Sequence, residues 1–283
     1  MNRKGLLKVV AATTAMGATL LPVTAFASVQ ETAGAAFHGG TNYVHSGVVI
    51  RNLARQAASQ KPMYSAGGRR ILNYGWSASN WSGYAITGST YTDITGKWVV
   101  PSVQASRRNT YSSSWIGIDG FNNSDLIQTG TEQDYVNGRA QYDAWWEILP
   151  AAETVITNMA VYPGDNMSAH IHDNGNGTWT ITLQDVTRGE TFTTTQSYSG
   201  PGTSAEWIQE APQVNGTIAP LANYGETTFD PGTVNGGNPG LSSSDGGYMV
   251  QHNAVVSVPS NPDSDTDGFN VEYGSSAPSS NPS

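Results

Sequence analysis

Three short segments gather most of the side chains that could do chemistry: Ser114-Trp115-Ile116-Gly117-Ile118-Asp119-Gly120, Tyr142-Asp143-Ala144-Trp145-Trp146-Glu147 and Ala205-Glu206-Trp207-Ile208-Gln209-Glu210. Each sets carboxyl groups beside aromatic rings. A carboxyl group can take, hold and return a proton, and a ring beside it offers an apolar wall for an extended ligand. If the segments are strands, side chains two apart share a face. Trp115 and Asp119 then lie on one face, with Ile116 and Ile118 on the other. The same parity groups Asp143, Trp145 and Glu147, and groups Glu206, Ile208 and Glu210. A sandwich buries one face of each sheet and leaves the other free, so acids among rings on a free face would form a cleft. Core tryptophans with solvated acids would give the same pattern on any one strand; three such strands together favour the cleft.

Other chemistries lack their residues. With no cysteine there is no thiol nucleophile and no Cys-ligated zinc. The chain has no His-Glu-x-x-His, no Gly-x-Ser-x-Gly and no phosphate-binding glycine loop followed by lysine. Of five histidines, His38 and His45 lie near the N-terminus, and His170 and His172 share a strand face without an evident third metal ligand. Asp263-Ser264-Asp265-Thr266-Asp267-Gly268 resembles the start of a calcium loop, but Gly274 stands where the closing glutamate belongs, so an acidic turn is expected. No metal and no cofactor are expected. Carboxylate and amide chemistry remains. One form is a β-sandwich glycoside hydrolase with Glu147 and Glu210 as its carboxylate pair and tryptophans stacked on sugar rings. Another is a carbohydrate-binding module that does no catalysis.

The elements that must hold these residues are strands. Charged residues make up only 12% of the chain, and Tyr, Trp, Thr, Ser and Gly abound, a composition suited to pleated, half-buried surfaces. Alternation and turn residues predict strands at 81–87, 96–100, 111–118, 126–132, 140–149, 154–161, 168–172, 178–185, 191–197, 205–210, 249–258 and 269–273. Many short strands at this spacing predict an all-β fold, a two-sheet antiparallel β-sandwich of jelly-roll type. Residues 233–247 are rich in Gly, Ser and Asn and read as a long loop, and 274–283 read as a disordered tail.

The N-terminal part differs in kind. Arg3, Lys4 and Lys8 precede a largely apolar run from Val9 to Val23, and Ala25-Phe26-Ala27 is a small-x-small cleavage pattern. Residues 1–27 therefore read as a secretory signal peptide, which makes the protein secreted and extracellular. Residues 1–75 hold eight Lys/Arg and one acid; residues 76–283 hold five Lys/Arg and 21 acids. Residues 28–75 thus read as a basic propeptide that docks by charge on an acidic domain at 76–273, or else as a disordered linker.

Six segments in order resemble the motif set of the glutamic peptidases (eqolisins): Asn80-Trp81-Ser82-Gly83, Trp98-Val99-Val100-Pro101, Trp115 to Gly120, Leu126-Ile127-Gln128-Thr129-Gly130, Tyr142 to Glu147 and Ala205 to Glu210. The likeness covers about residues 76–273. It implies a two-sheet antiparallel sandwich and secreted endopeptidase activity at acid pH. It also implies a catalytic glutamine at Gln128 and a catalytic glutamate at Glu210, with Trp81, Trp115, Asp119, Asp143 and Glu147 lining or supporting the cleft. Two departures stand out: Leu149 follows the cleft glutamate where an aromatic is usual, and the cysteines of fungal members are absent. The pair is chemically sensible. A glutamate can activate water and later protonate the leaving amine, and an uncharged amide can donate to the oxyanion. The expected protein is a monomer acting on protein or peptide substrates and bound by its own propeptide. Nucleic acid has no place in this reading, nor does a membrane in the mature form.

Overall fold

Alternation in Asp93–Val99, Asn166–Asp173 and Thr178–Asp185 turns Ile94, Trp98, Met167, Ala169, Ile171, Trp179, Ile181 and Leu183 inward and the residues between them outward. That single buried face is what makes these strands one layer of a sandwich. A computed structural model of the chain describes residues 48–61 and 74–280, together with the backbone of two short paired strands, Met63–Tyr64 and Arg70–Ile71. The leader expected at 1–27 lies outside the described residues. No helix among them is long and apolar enough to cross a membrane.

A fifteen-stranded ribbon, almost wholly antiparallel, forms the body. Its first half runs in the order Thr154–Val155, Arg139–Ile148, Ile127–Val136, Ser113–Ile118, Ser204–Glu210, Trp81–Thr87 and Gly246–Gln251. Trp76–Ala78 pairs in parallel alongside Gly246–Gln251. The ribbon continues through Ala254–Pro259, Phe269–Tyr273, Glu226–Val234, Asp93–Val99, Asn166–Asp173, Thr178–Asp185 and Glu190–Ser197. The two halves meet face to face. Between them lies the main core, with Ile116, Ile118, Trp207 and Ala205 from one layer against Ile94, Trp98, Ile171, Ile181 and Phe229 from the other.

Trp207 shows how closely the layers approach. Its indole N–H donates to the Thr95 carbonyl at 2.9 Å. A Cβ at Gly96 would lie 2.8 Å from its ring, and one at Gly232 would lie 2.7 Å from it. Trp98 crosses the other way, its Nε1 donating to Thr131 Oγ1 at 3.0 Å.

Several elements differ from expectation. The strand read over 249–258 is a hairpin, Gly246–Gln251 and Ala254–Pro259, turned at His252 and Asn253 with φ of 49° and 68°. Only Thr154–Val155 of 154–161 is strand; Ile156, Met159 and Val161 drop into the core instead. The strand Glu226–Val234 was hidden by Asp230-Pro231-Gly232, which the ladder absorbs as an irregularity between Phe229 and Gly232. Residues 274–280, expected to be disordered, lie against the domain: Ala277 packs with Tyr74, Tyr248, Val250 and Val258, and Asn270 Nδ2 donates to the Ser279 carbonyl at 3.0 Å.

Candidate active site

Strand register assembles the cleft face row by row. One row joins Trp81, Glu210, Ser113, Glu132 and Asp143; the next joins Gly83, Ile208, Trp115, Gly130 and Trp145; a third joins Ala85, Glu206, Gly117, Gln128 and Glu147. The acid-bearing segments read from sequence thus share one face, and Gln128 stands beside Glu147 on it. Gly130 makes room for this packing, since a Cβ there would lie 2.5 Å from the Trp115 Cβ and 2.3 Å from the Ser114 carbonyl. Trp81, Trp115, Trp145 and Ile208 form a second apolar cluster on this side, with Trp81 and Trp115 edge to face at 5.0 Å.

The face is covered. Residues 48–61 run over it, as strand at Ile50–Arg51 and with a bend at Ala54, and Glu132, Glu147, Glu206, Glu210 and Gln128 are all essentially inaccessible. Gln128 Nε2 donates to the Asn52 carbonyl at 2.6 Å and to Glu147 Oε2 at 3.0 Å, while its Oε1 has no hydrogen-bond partner among the described residues. Glu147 Oε2 also accepts the Asn52 N–H at 2.9 Å. Glu210 Oε1 accepts the Leu53 N–H at 2.9 Å and Asn80 Nδ2 at 3.1 Å; its Oε2 accepts Trp115 Nε1 at 2.9 Å. Trp81 Nε1 donates to the Leu53 carbonyl at 2.8 Å.

Both flanks of the segment are anchored. Ile50 and Arg51 pair with Val214 and Gln213, and Asn215 N–H donates to the Val49 carbonyl. On the other side the Arg55 N–H donates to the Gly120 carbonyl at 2.9 Å, and Gln56 N–H donates to Asn80 Oδ1 at 2.7 Å. Ala57 then bridges to Ala78. Most of these contacts use the segment's main chain. Of the segment's basic residues, Arg51 lies near enough to the buried Glu147 carboxyl to favour its charged form, while Arg55 meets the Phe121 carbonyl at 3.1 Å and the Phe121 ring at 4.1 Å. Lys61 Nζ donates to Asn253 Oδ1.

Burial governs the acids. It pushes the carboxyl groups of Glu132, Glu147, Glu206 and Glu210 well above the ordinary range. Glu153 adds to the rise at Glu132 and Glu147. The donors from Asn80, Leu53 and Trp115 pull Glu210 part of the way back.

Of the residues named from sequence, Gln128, Glu147, Glu210, Trp81 and Trp115 meet around the Asn52–Leu53 unit. Asp119 does not. Its buried carboxylate accepts Tyr198 Oη at 2.7 Å, Gly202 N and Thr203 N at 2.8 Å each, and Asn123 Nδ2 at 2.9 Å, tying two loops together. Asp143 is half-buried opposite Glu132 and lines an open hollow with Tyr142, Ile156 and Met159. Sequence reasoning gave no role to Asn80, Asn52 or Glu153. Asn80 stood inside a quoted motif, which was the available signal; Asn52 and Glu153 carried none.

Strand pairing also supplies a third neighbour for the histidine pair. Asp93 Oδ2 lies 2.6 Å from His170 Nε2, and the ligand-capable atoms of Asp93, His170 and His172 fall within 4.8 Å of one another. Asp230, Asp263 and Asp267 gather in the same way at the acidic turn.

The fold and this site define a class: an antiparallel β-sandwich with an amide- and carboxyl-lined face that holds a segment of its own chain. The Peptidase A4 family model matches residues 79–273, and the chain belongs to that family, the glutamic peptidases or eqolisins. It is 28% identical over 196 residues to aspergillopepsin-2 of Aspergillus niger, covering 61% of this chain and 70% of that one. It is 27% identical over 137 residues to scytalidopepsin B of Scytalidium lignicola, covering 47% of this chain and 51% of the relative. Scytalido-glutamic peptidase with a transition state analog inhibitor shares the fold at a TM-score of 0.60 and 24% identity, over 69% of this chain and 98% of that chain. Aspergilloglutamic peptidase from Aspergillus niger matches at a TM-score of 0.52 and 26% identity, over 58% and 99% of the two chains. The protein is a peptidase.

Proposed function

We propose that the protein is a secreted endopeptidase working at acid pH, cutting protein substrates with Gln128, Glu210 and an activated water, without a cofactor. One observation carries the reading: a peptide unit spans the pair, its carbonyl on Gln128 Nε2 at 2.6 Å and the next N–H on Glu210 Oε1 at 2.9 Å. A bound substrate needs this polarity. Burial raises Glu210 and its hydrogen-bond donors oppose that rise. It is the ionised form that activates the water, which attacks the carbonyl carbon; the oxyanion forms against the Gln128 amide, and Glu210 returns the proton to the departing nitrogen. Asn80 and Trp115 hold the Glu210 carboxylate, and Glu147 Oε2 fixes the Gln128 amide with its NH₂ towards the carbonyl. Gln128 Oε1, which has no hydrogen-bond partner among the described residues, offers an acceptor for the attacking water. Trp81 and Trp115 wall the site, while Asp119 and Asp143 support it from outside.

The charge balance suits acid. The 21 carboxylates of residues 76–283 neutralise at low pH, and with five Lys/Arg there is little positive self-repulsion to follow. The leader pattern at 1–27 supports secretion, and the basic stretch 28–75 acts as propeptide. The sugar-acting alternatives are not favoured, because the cleft takes a peptide and Glu147 is engaged with Gln128 rather than opposed to Glu210.

The test is digestion of an unfolded protein from acid to neutral pH. Wild type should cut at acid pH only and ignore a metal chelator. Gln128→Ala should lower turnover about 10²–10³-fold, and Glu210→Gln should abolish it. Near-normal turnover by either variant, or no cutting by folded wild type, overturns the proposal.

A further inference from the structure

We infer that the Asn52–Leu53 peptide bond is a substrate of the chain's own site, the bond at which the protein cuts itself, with Glu153 reading the side chain on the carbonyl side. This rests on the proposed Gln128/Glu210 chemistry but goes beyond it, since that chemistry does not say which bond of the chain is cut or which side chain the site selects.

Along residues 48–61, this peptide unit alone touches both members of the pair. Its carbonyl faces the amide donor and its N–H faces the carboxylate. The units on either side are tied to other groups. Arg51 is paired with Gln213, the Leu53 carbonyl accepts Trp81 Nε1, and the Ala54 carbonyl accepts Asn80 Nδ2 at 3.2 Å. Anchors on both flanks keep the register from slipping, and a bond held in place by its own chain reacts without a diffusive encounter. The step balances as a hydrolysis. With Glu210 ionised, water oxygen bonds to the Asn52 carbonyl carbon and one water proton passes to the Glu210 carboxylate. The C–N bond then breaks as that proton moves to the Leu53 nitrogen, leaving a carboxyl terminus at Asn52 and an amino terminus at Leu53.

The Asn52 side chain is fully buried, and its Nδ2 donates to Glu153 Oε2 at 3.2 Å. Glu132 lies close enough to Glu153 for each to oppose the other's ionisation, and neither Glu132 oxygen has a hydrogen-bond partner among the described residues. A pocket of two acids suits a neutral side chain that carries an N–H donor. A branched apolar side chain there would offer Glu153 Oε2 no donor in place of Asn52 Nδ2.

The full chain, purified at neutral pH, would be acidified and followed by intact mass and N-terminal sequencing. The expected result is a new terminus reading Leu53-Ala54-Arg55-Gln56, formed at a rate per molecule independent of protein concentration. The Glu210→Gln chain should stay whole, Asn52→Gln should be cut, and Asn52→Leu should be cut about tenfold more slowly. With added peptides, cleavage should follow Asn in preference to Leu, and Glu153→Ala should erase that preference. If wild type digests an added unfolded protein in a Glu210-dependent way while Asn52–Leu53 stays intact, the inference is overturned and the proposed function stands. If neither bond nor substrate is cut, the proposed function itself falls.

Discussion

Asn80 touches the Glu210 carboxylate and the covering segment at once: Nδ2 donates to Glu210 Oε1 and lies within 3.3 Å of the Leu53 carbonyl, while Oδ1 accepts the Gln56 N–H. A positioned donor on a carboxylate both aims it and favours its ionised form, which bears on turnover through the role proposed for Glu210. Asn80→Ala should therefore lower kcat about tenfold or more with a smaller change in KM, and should shift the acid limb of the pH–rate profile upward. Steady-state kinetics on the acid-treated protein checks this, and an unchanged acid limb would argue against the role. Asp119 predicts the opposite pattern. Its carboxylate gathers Tyr198, Gly202, Thr203 and Asn123 without touching the segment in the cleft. Asp119→Ala strands buried donors at about 1–3 kcal/mol each, so thermal unfolding should move by several degrees while KM changes little.

At the scale of elements, the site depends on glycines that let aromatic strands lie close. Gly130→Ala would drive a methyl group against Trp115 and the Ser114 carbonyl. Strain of this kind costs about 1–3 kcal/mol, and the displaced Trp115 indole would loosen its hydrogen bond to Glu210. Lower thermal stability together with lower kcat is the expected pair of results. Thr178–Asp185 and Phe269–Tyr273, whose residues alternate, and the aromatic- and β-branched-bearing Trp81–Thr87 have the predicted bounds to the residue. Legibility failed where a turn residue sits inside a ladder, as with Asp230-Pro231-Gly232, or where non-glycine residues take positive φ, as at His252 and Asn253. The shared face of the acids was readable from parity alone. Their burial was not, because residues 48–61 carry no motif that announces where they lie.

Over the whole molecule, the buried acids set the pH response. Glu132, Glu147, Glu206 and Glu210 are raised by burial in the folded state. Below the ordinary carboxyl value, about 4.3, folded and unfolded chains are both protonated and the stability is complete. As pH rises past it, the unfolded chain releases protons that the native state keeps, so the unfolding free energy falls until the native carboxyls ionise. The melting temperature of the uncut Glu210→Gln chain should therefore be higher near pH 4 than at pH 7, through the three acids it retains. A melting temperature that rises towards neutrality would contradict this. The anchoring of residues 48–61 has a last consequence. The cleft takes hold of Val49, Asn52, Leu53, Ala54, Arg55 and Gln56 through backbone carbonyls and amides. In a folded protein those groups are already spent on helices and sheets. Once vacated, the cleft would therefore distinguish denatured chains from intact ones before it distinguished sequences, and the acid that favours this enzyme's own fold would be unfolding its prey.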